Sequence, residues 1–280
     1  MGRQYKAAFL IKIEGVKKLK FLIIGDVVGR SGLNIIKNNI KHIIETEKID
    51  YIIINGENSA NGRGIKEREM KEIFSLGANV ITMGNHLYYR KEAKALYANV
   101  TRLLIPANVT NLPGHGVFID NYNGKKIATI NLLGKVGMGE LNQEHISDPF
   151  EKAKEIIDGL KKQNVDYIFL DFHAEATAEK IAMSYFLEND VTCVFGTHTH
   201  VQTSDETIYD SGLAYITDVG MCGPKHSVLG LKKEIAVGRF VTKERIKYEC
   251  SDNPGEFRSI IVETDDNTNR AISIKRYNID

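Results

Sequence analysis

Three stretches decide the fold: LKFLIIGD at residues 19–26, YIIINGEN at 51–58 and NVITMGNH at 79–86. Each is a short run of aliphatic, largely β-branched residues that stops at a glycine followed by a polar side chain. Runs that are apolar at every position suit strands buried on both faces, as in parallel sheets covered by helices. The text between them reads as helix. In SGLNIIKNNIKHIIETEK (31–48), Leu33, Ile36, Ile40, Ile43 and Ile44 recur at helical spacing, and Ser31 is placed to cap the N-terminus. IKEREMKEIFSLG (65–77) ends on a glycine suited to a helix C-terminus.

Outward from this core the alternation persists. KIATINLLG (126–134), DYIFLDFH (166–173) and VTCVFGTHTH (191–200) read as strands, separated by the helical DPFEKAKEIIDGLKKQ (148–163) and EATAEKIAMSYFLEN (175–189). After Gly212, AYITDVG, EIAVGRFV, SIIVET and AISIKR read as strands with turns between them, which predicts antiparallel pairing near the end of the chain. The fold class expected is α/β, a sandwich of two mixed β-sheets flanked by helices. Residues 1–15 lack a clear period and read as a leader or appended segment ahead of a single domain at 16–280.

The 280 residues, with 42% hydrophobic and 26% charged side chains, have the composition of an ordinary globular protein. A formal net charge of +1 argues against a generally basic nucleic-acid coat. Cys193, Cys222 and Cys250 form no CxxC pair, so neither a disulfide framework nor a thiolate zinc site is indicated and a cytoplasmic location is expected. No apolar run approaches the ~20 residues that span a bilayer. No GxGxxG, GxxxxGK or GxSxG motif is present, which removes dinucleotide-loop, phosphate-loop and serine-hydrolase readings.

In open α/β sheets ligands bind at the carboxyl ends of strands. Here those ends hold Asp26, Glu57, Asn58, Asn85, His173, His198 and His200. Taken singly, Asp26 could cap a turn, Asn58 could sit in a left-handed bend and His173 could be a satisfied buried polar group. Together they supply what two adjacent metal ions need, a bridging carboxylate with oxygen and imidazole ligands on each side. In HTH (198–200) both imidazoles would leave one face of an extended segment. Gly25, Gly56, Gly84 and Gly196 precede these ligands, where they would permit sharp turns and leave space for ions and phosphate.

GDVVG, NGENSANG, TMGNH, DFHAEATAEK and GTHTHVQT, together with PANVTNLPGHGVF and YITDVGMCGP, resemble the dinuclear calcineurin-like metallophosphoesterases. The closer resemblance is to the bacterial branch of 2′,3′-cyclic-nucleotide 2′-phosphodiesterases, from about Leu19 to the C-terminus. It implies a four-layer αββα sandwich. It also implies that Glu57 bridges two metals, that Asp26, Asn58 and His200 complete one ion, and that Asn85, His173 and His198 complete the other. His86 is implied as the non-ligand catalytic histidine, and an imidazole there is chemically suited to stabilising charge on phosphate or protonating a leaving oxygen near neutral pH. Branch members commonly follow GNH with a tryptophan and an acidic residue, whereas this chain continues Leu87-Tyr88-Tyr89-Arg90, so Tyr88 is the candidate for the tryptophan's role.

Glu175 and Thr177, near the start of a helical stretch, are candidate substrate-binding residues, as are His115 in PGHG and Lys225 and His226 in GPKHS. The resemblance implies opening of a 2′,3′-cyclic nucleotide to a 3′-nucleotide, while the residues by themselves allow other phosphodiesters or monoesters; a hydroxide generated by two metals would be the nucleophile, with Mn or Fe suited to the ligand set. The expected partner is a small nucleotide phosphodiester or an RNA end, with no membrane. A homodimer is expected from the prevalence of dimeric soluble enzymes. Two rival readings are a metal-stabilised module that binds cyclic nucleotide or RNA ends with little turnover, and a broad phosphomonoesterase.

Overall fold

The computed structural model describes residues 18–138, 143–243 and 246–280; the leader expected over 1–15 lies outside the described residues. The chain lays down most of one sheet, builds a second, then returns to complete the first. The opening strands are β1 (Lys20–Ile24), β2 (Asp26–Val27), β3 (Tyr51–Asn55), β4 (Val80–Thr82) and β5 (Leu103–Leu104). The second sheet holds β6 (Val117–Tyr122), β7 (Lys125–Leu133), β8 (Tyr167–His173), β9 (Cys193–Thr197), β10 (Thr207–Ile208) and β11 (Ala214–Ile216). The return is made by β12 (Met221–Pro224), β13 (Gly255–Asp265) and β14 (Arg270–Ile279).

Sheet one runs β2-β12-β13-β1-β3-β4-β5, with β14 on β13; sheet two runs β10-β11-β9-β8-β7-β6. β1, β3, β4 and β5 pair in parallel, as do β7, β8, β9 and β11, while β13 joins β1 and β14 antiparallel. In sheet two β6 joins β7 and β10 joins β11 antiparallel, so both sheets are mixed, and the expected antiparallel pairing at the chain's end is the β13/β14 hairpin.

Side-chain alternation builds four layers. Leu22, Ile24, Ile52 and Ile54 face outward against α1 (Gly29–Glu47) and α2 (Glu67–Ser75), meeting Leu33, Ile36, Ile40 and Ile73. Their neighbours Phe21, Ile23, Tyr51 and Ile53 face inward and meet Phe169, Cys193 and Phe195 of sheet two. The far side of sheet two, with Ile168, Leu170 and Phe172, is covered by Ile157 and Leu160 of α4 (Pro149–Lys161) and Met183 of α5 (Thr177–Phe186); the short α3 (Ala93–Asn99) precedes β5. Asp148 caps α4 by accepting the backbone N–H groups of Phe150 and Glu151.

Two local expectations are corrected. Ser31 is not the cap of α1. That helix begins at Gly29, whose left-handed φ of +59° turns the chain directly out of β2, and the Ser31 hydroxyl donates to Asn253 O at 2.7 Å. EIAVGRFV is not a strand but lies in α6 (Lys233–Thr242). Both edges of the preceding β12 are already taken by β2 and β13, so the alternating apolar pattern finds no partner there, and a helix satisfies its backbone internally. The expected glycine stop of α2 is present, with Gly77 at φ +102°. Among the described residues, no helix is long and apolar enough to cross a membrane.

Candidate metal centre

The carboxyl ends of β1, β3, β4, β8 and β9 meet at one rim of the sandwich, and the polar residues that end those apolar runs converge there. Glu57, buried just beyond β3, stands in the middle: Oε1 lies 3.2 Å from His173 Nε2 and 3.1 Å from Asn58 Nδ2. To one side, Asn58 Nδ2 is 3.3 Å from Asp26 Oδ1 and 3.0 Å from His200 Nε2. With Glu57 Oε1, Asp26 Oδ1 and His200 Nε2 all around Asn58 Nδ2, four side chains converge on this half of the site. To the other side, Asn85 Oδ1 is 2.9 Å from His173 Nε2 and 3.0 Å from His198 Nδ1. All seven residues read from the sequence are thus brought together, Asp26, Asn58 and His200 on one side of Glu57 and Asn85, His173 and His198 on the other.

The donor set fits cations. Within ion-pair distance of the buried carboxylates of Asp26 and Glu57 there is no Lys or Arg among the described residues, only histidine. Burial raises the Asp26 carboxyl, while in Glu57 the effect of burial is outweighed by His173 and His86, which hold it far below the usual range. Burial depresses His173, yet Glu57 overrides it and lifts the imidazole to about 9, so the cavity favours positive charge between those two side chains. Burial and His173 push His198 down to about 3, leaving a neutral ring able to act as a ligand. A Cβ on Gly84 would lie 2.3 Å from both Glu57 Oε2 and His173 Nε2, so the glycine keeps this cradle open. Glu57, His173 and His198 offer ligand atoms all within 4.8 Å of one another.

The space reading of the glycines therefore holds at Gly84, and the chain turns at Gly56, whose carbonyl accepts the N–H of Ser59 at 3.1 Å, but without left-handed torsions. None of Gly25, Gly56, Gly84 or Gly196 has a positive φ. What requires glycine at Gly25 and Gly196 is the crossing of residues 217–220: added Cβ atoms would lie 1.9 Å from Gly220 O and 1.8 Å from Thr217 O. The extended HTH geometry is corrected. β9 ends at Thr197, and His198 and His200 take left-handed backbone, φ +99° and +65°, which sends one imidazole to each half of the site.

Sequence reasoning missed the support beneath the ligands. His173 Nδ1 donates to Thr197 Oγ1 at 2.8 Å, whose hydroxyl donates to Asp171 Oδ1 at 2.7 Å, fixing the tautomer that presents Nε2 to the cluster. Asn55 and Thr82 also donate to Asp171, and burial raises that carboxyl to about 6. The available signal was a carboxylate inside the apolar run YIFLDFH, two residues before a candidate ligand and hence on the same strand face.

His86 lies in a single 3₁₀ turn (Asn85–Tyr88), with its backbone N–H donating to Glu57 Oε2 at 3.2 Å and its Nδ1 2.6 Å from Asn58 Oδ1. Burial lowers its pKa. The departure after GNH is resolved structurally. Tyr88 turns outward and donates to Asn111 Oδ1, whereas Tyr89 sets its ring edge-on to His86, 5.1 Å between centroids. Arg63 lies over Tyr89, and Arg90 donates to the carbonyls of Ala60 and Arg63, tying the loop after Asn58 to the turn bearing His86.

Of the candidate substrate contacts, Glu175 is at the rim, Oε2 3.0 Å from His198 Nε2. Thr177 is exposed at the start of α5. His115 engages through its backbone, its carbonyl accepting from Ile105 N–H at 2.9 Å. His226 lines a different cavity, with Lys232, Lys233 and Asn253. Lys225 lies near the Asp280 carboxylate instead.

This sandwich, with its rim of carboxylate, amide and imidazole donors, is the metallophosphoesterase fold. A 5′-nucleotidase precursor from Thermus thermophilus shares it at TM-score 0.57 and 11% identity, with 94% of this chain and 54% of that one covered. The chain belongs to the YmdB-like protein family, whose model matches residues 22–277. It is 39% identical over 259 residues to the 2′,3′-cyclic-nucleotide 2′-phosphodiesterase of Bacillus subtilis strain 168, covering 92% of this chain and 96% of that protein. The crystal structure of a novel phosphatase from Mycoplasma pneumoniae superposes at TM-score 0.88 with 36% identity, covering 94% of each chain.

Proposed function

We propose that this chain is a two-metal phosphodiesterase that opens 2′,3′-cyclic nucleotides to 3′-nucleotides. The observation behind this reading is the double grouping around Glu57: Asp26, Asn58 and His200 would hold one cation, Asn85, His173 and His198 the other, and Glu57 would bridge them. The name of the Bacillus subtilis relative supports the regiochemistry. Bound there, a cation pair supplies a nucleophile from water at neutral pH and draws charge from the phosphate oxygens. Mn or Fe suits this imidazole, carboxylate and amide set, which lacks thiolate.

The chain's own side chains do the rest. His86, held at the edge of the cluster by Asn58 and Glu57, donates a proton to the departing ribose 2′ oxygen. Glu175, beside His198, borders the substrate. His86→Ala is expected to lower kcat by roughly 10²–10⁴-fold while leaving metal content intact; measurement of both would reassign His86 as a ligand if the metals are lost as well.

The decisive experiment is hydrolysis of 2′,3′-cyclic AMP by purified protein with Mn²⁺ and with chelator, resolving 2′-AMP from 3′-AMP. Metal-dependent 3′-AMP is the expected product. No turnover by fully metallated protein would replace this reading with a binding module, and faster cleavage of monoesters would replace it with a phosphomonoesterase.

A further inference from the structure

DFHAEATAEK and YITDVG contribute one oppositely charged pair that the proposed chemistry does not use, Lys180 and Asp218. Both are buried, at 1% and 0% exposure, and their side chains pair at 2.8 Å. Burying two charges is costly, and an apolar pair would stabilise the core at least as well. What the carboxylate touches gives it a use. Asp218 Oδ2 accepts the backbone N–H of Thr199 at 3.0 Å as well as Lys180 Nζ, and Oδ1 accepts the N–H of Gly220 at 2.8 Å. Thr199 is the single residue between His198 and His200, the two imidazoles sent to opposite halves of the site.

We propose that Asp218, oriented by Lys180, is a positioning residue for both imidazoles. The reason lies in the backbone. Two non-glycine residues in left-handed conformation on either side of Thr199 are energetically unfavourable unless surrounding bonds hold them. Asp218 holds the middle of this turn, while Asp26 Oδ2 accepts the N–H of His198 at 3.0 Å. The two anchors are themselves joined, because Gly220, bound to Asp218, accepts the N–H of Asp26 through its carbonyl at 3.0 Å. Thr203 closes the turn from the far side, its N–H donating to Asp218 O at 3.1 Å and its hydroxyl accepting the N–H of Asp218 at 2.9 Å. Lys180 reaches this network from α5, the helix that follows His173, so the pair links three ligand-bearing segments. A carboxylate offers two oxygens for three donors, whereas a carboxamide would leave either Thr199 or Gly220 without an acceptor.

This inference builds on the metal reading of the site, and two measurements separate their fates. In unaltered, chelator-treated protein the Thr199 amide is expected to exchange with solvent at least about a hundredfold more slowly than in unstructured chain, because Asp218 and not a metal holds it. Rapid exchange would overturn the proposal. Titration of unaltered protein with Mn²⁺ tests the metal reading by itself. In Lys180→Met and Asp218→Asn, Mn²⁺ is expected to bind at least about tenfold more weakly to protein that remains folded by circular dichroism. Should either single variant fail to fold because its partner charge is left buried, Lys180→Met/Asp218→Asn removes that charge and has the same expected deficit. A folded variant that binds Mn²⁺ with native stoichiometry and affinity would assign the pair a purely structural role.

Discussion

Replacing Glu57 by alanine is expected to abolish metal-dependent hydrolysis, lowering kcat by at least about 10³-fold, or ~4 kcal/mol of transition-state stabilisation. The size follows from position. One carboxylate oxygen approaches Asn58 on one side and His173 on the other, so both halves of the site lose the same group. Its second oxygen accepts the backbone N–H of His86, so the turn carrying the proposed proton donor loses an anchor too. Metal content should fall with activity, and Glu57→Gln, nearly isosteric but neutral, should lose metal while keeping the fold. Elemental analysis, circular dichroism and turnover on one preparation check all three. Two bound metals and about a tenth of the original activity in Glu57→Ala would show that the carboxylate does not bridge.

Gly196→Ala is expected to destabilise the protein by about 3 kcal/mol, the top of the usual range for overpacking a filled interior. The added Cβ would lie 1.8 Å from Thr217 O, a backbone atom of the segment crossing beneath the site, and backbone cannot yield as a flexible side chain does. Gly159→Ala is the opposing control. It lies within α4, nothing stands within 4 Å of its added Cβ, and alanine there should stabilise by about 1 kcal/mol through helix propensity. Denaturant unfolding of both variants tests the contrast. Equal stability of Gly196→Ala and the parent would show that residues 217–220 shift without cost and that the close approach does not fix the rim.

The layered fold was legible because it follows from periodicity. Runs such as YIII at 51–54 are apolar at every position, which forces burial on both faces, and Leu33, Ile36, Ile40 and Ile43 mark one helical face whatever the surroundings. The identities of the seven clustered donors were legible for a related reason: a polar side chain directly after a buried parallel strand emerges at the carboxyl rim, which local sequence already dictates. EIAVGRFV was misread because period alone does not reveal whether a sheet edge is free, and β12 had none to offer.

How those donors divide is a matter of tertiary contacts. His198 and His200 are two apart in the chain, and in a strand they would share a face, yet left-handed backbone held by Asp26 and Asp218 from distant segments points them to separate halves. The same holds for Gly25 and Gly196, needed for a crossing chain and not for their own torsions, and for Asp171, whose place under His173 depends on two sheets meeting face to face. Local period is enough to say which residues reach the rim, because strand ends and helix faces are written in neighbouring residues. What each one touches there is set by contacts between segments far apart in the chain, which no local pattern encodes.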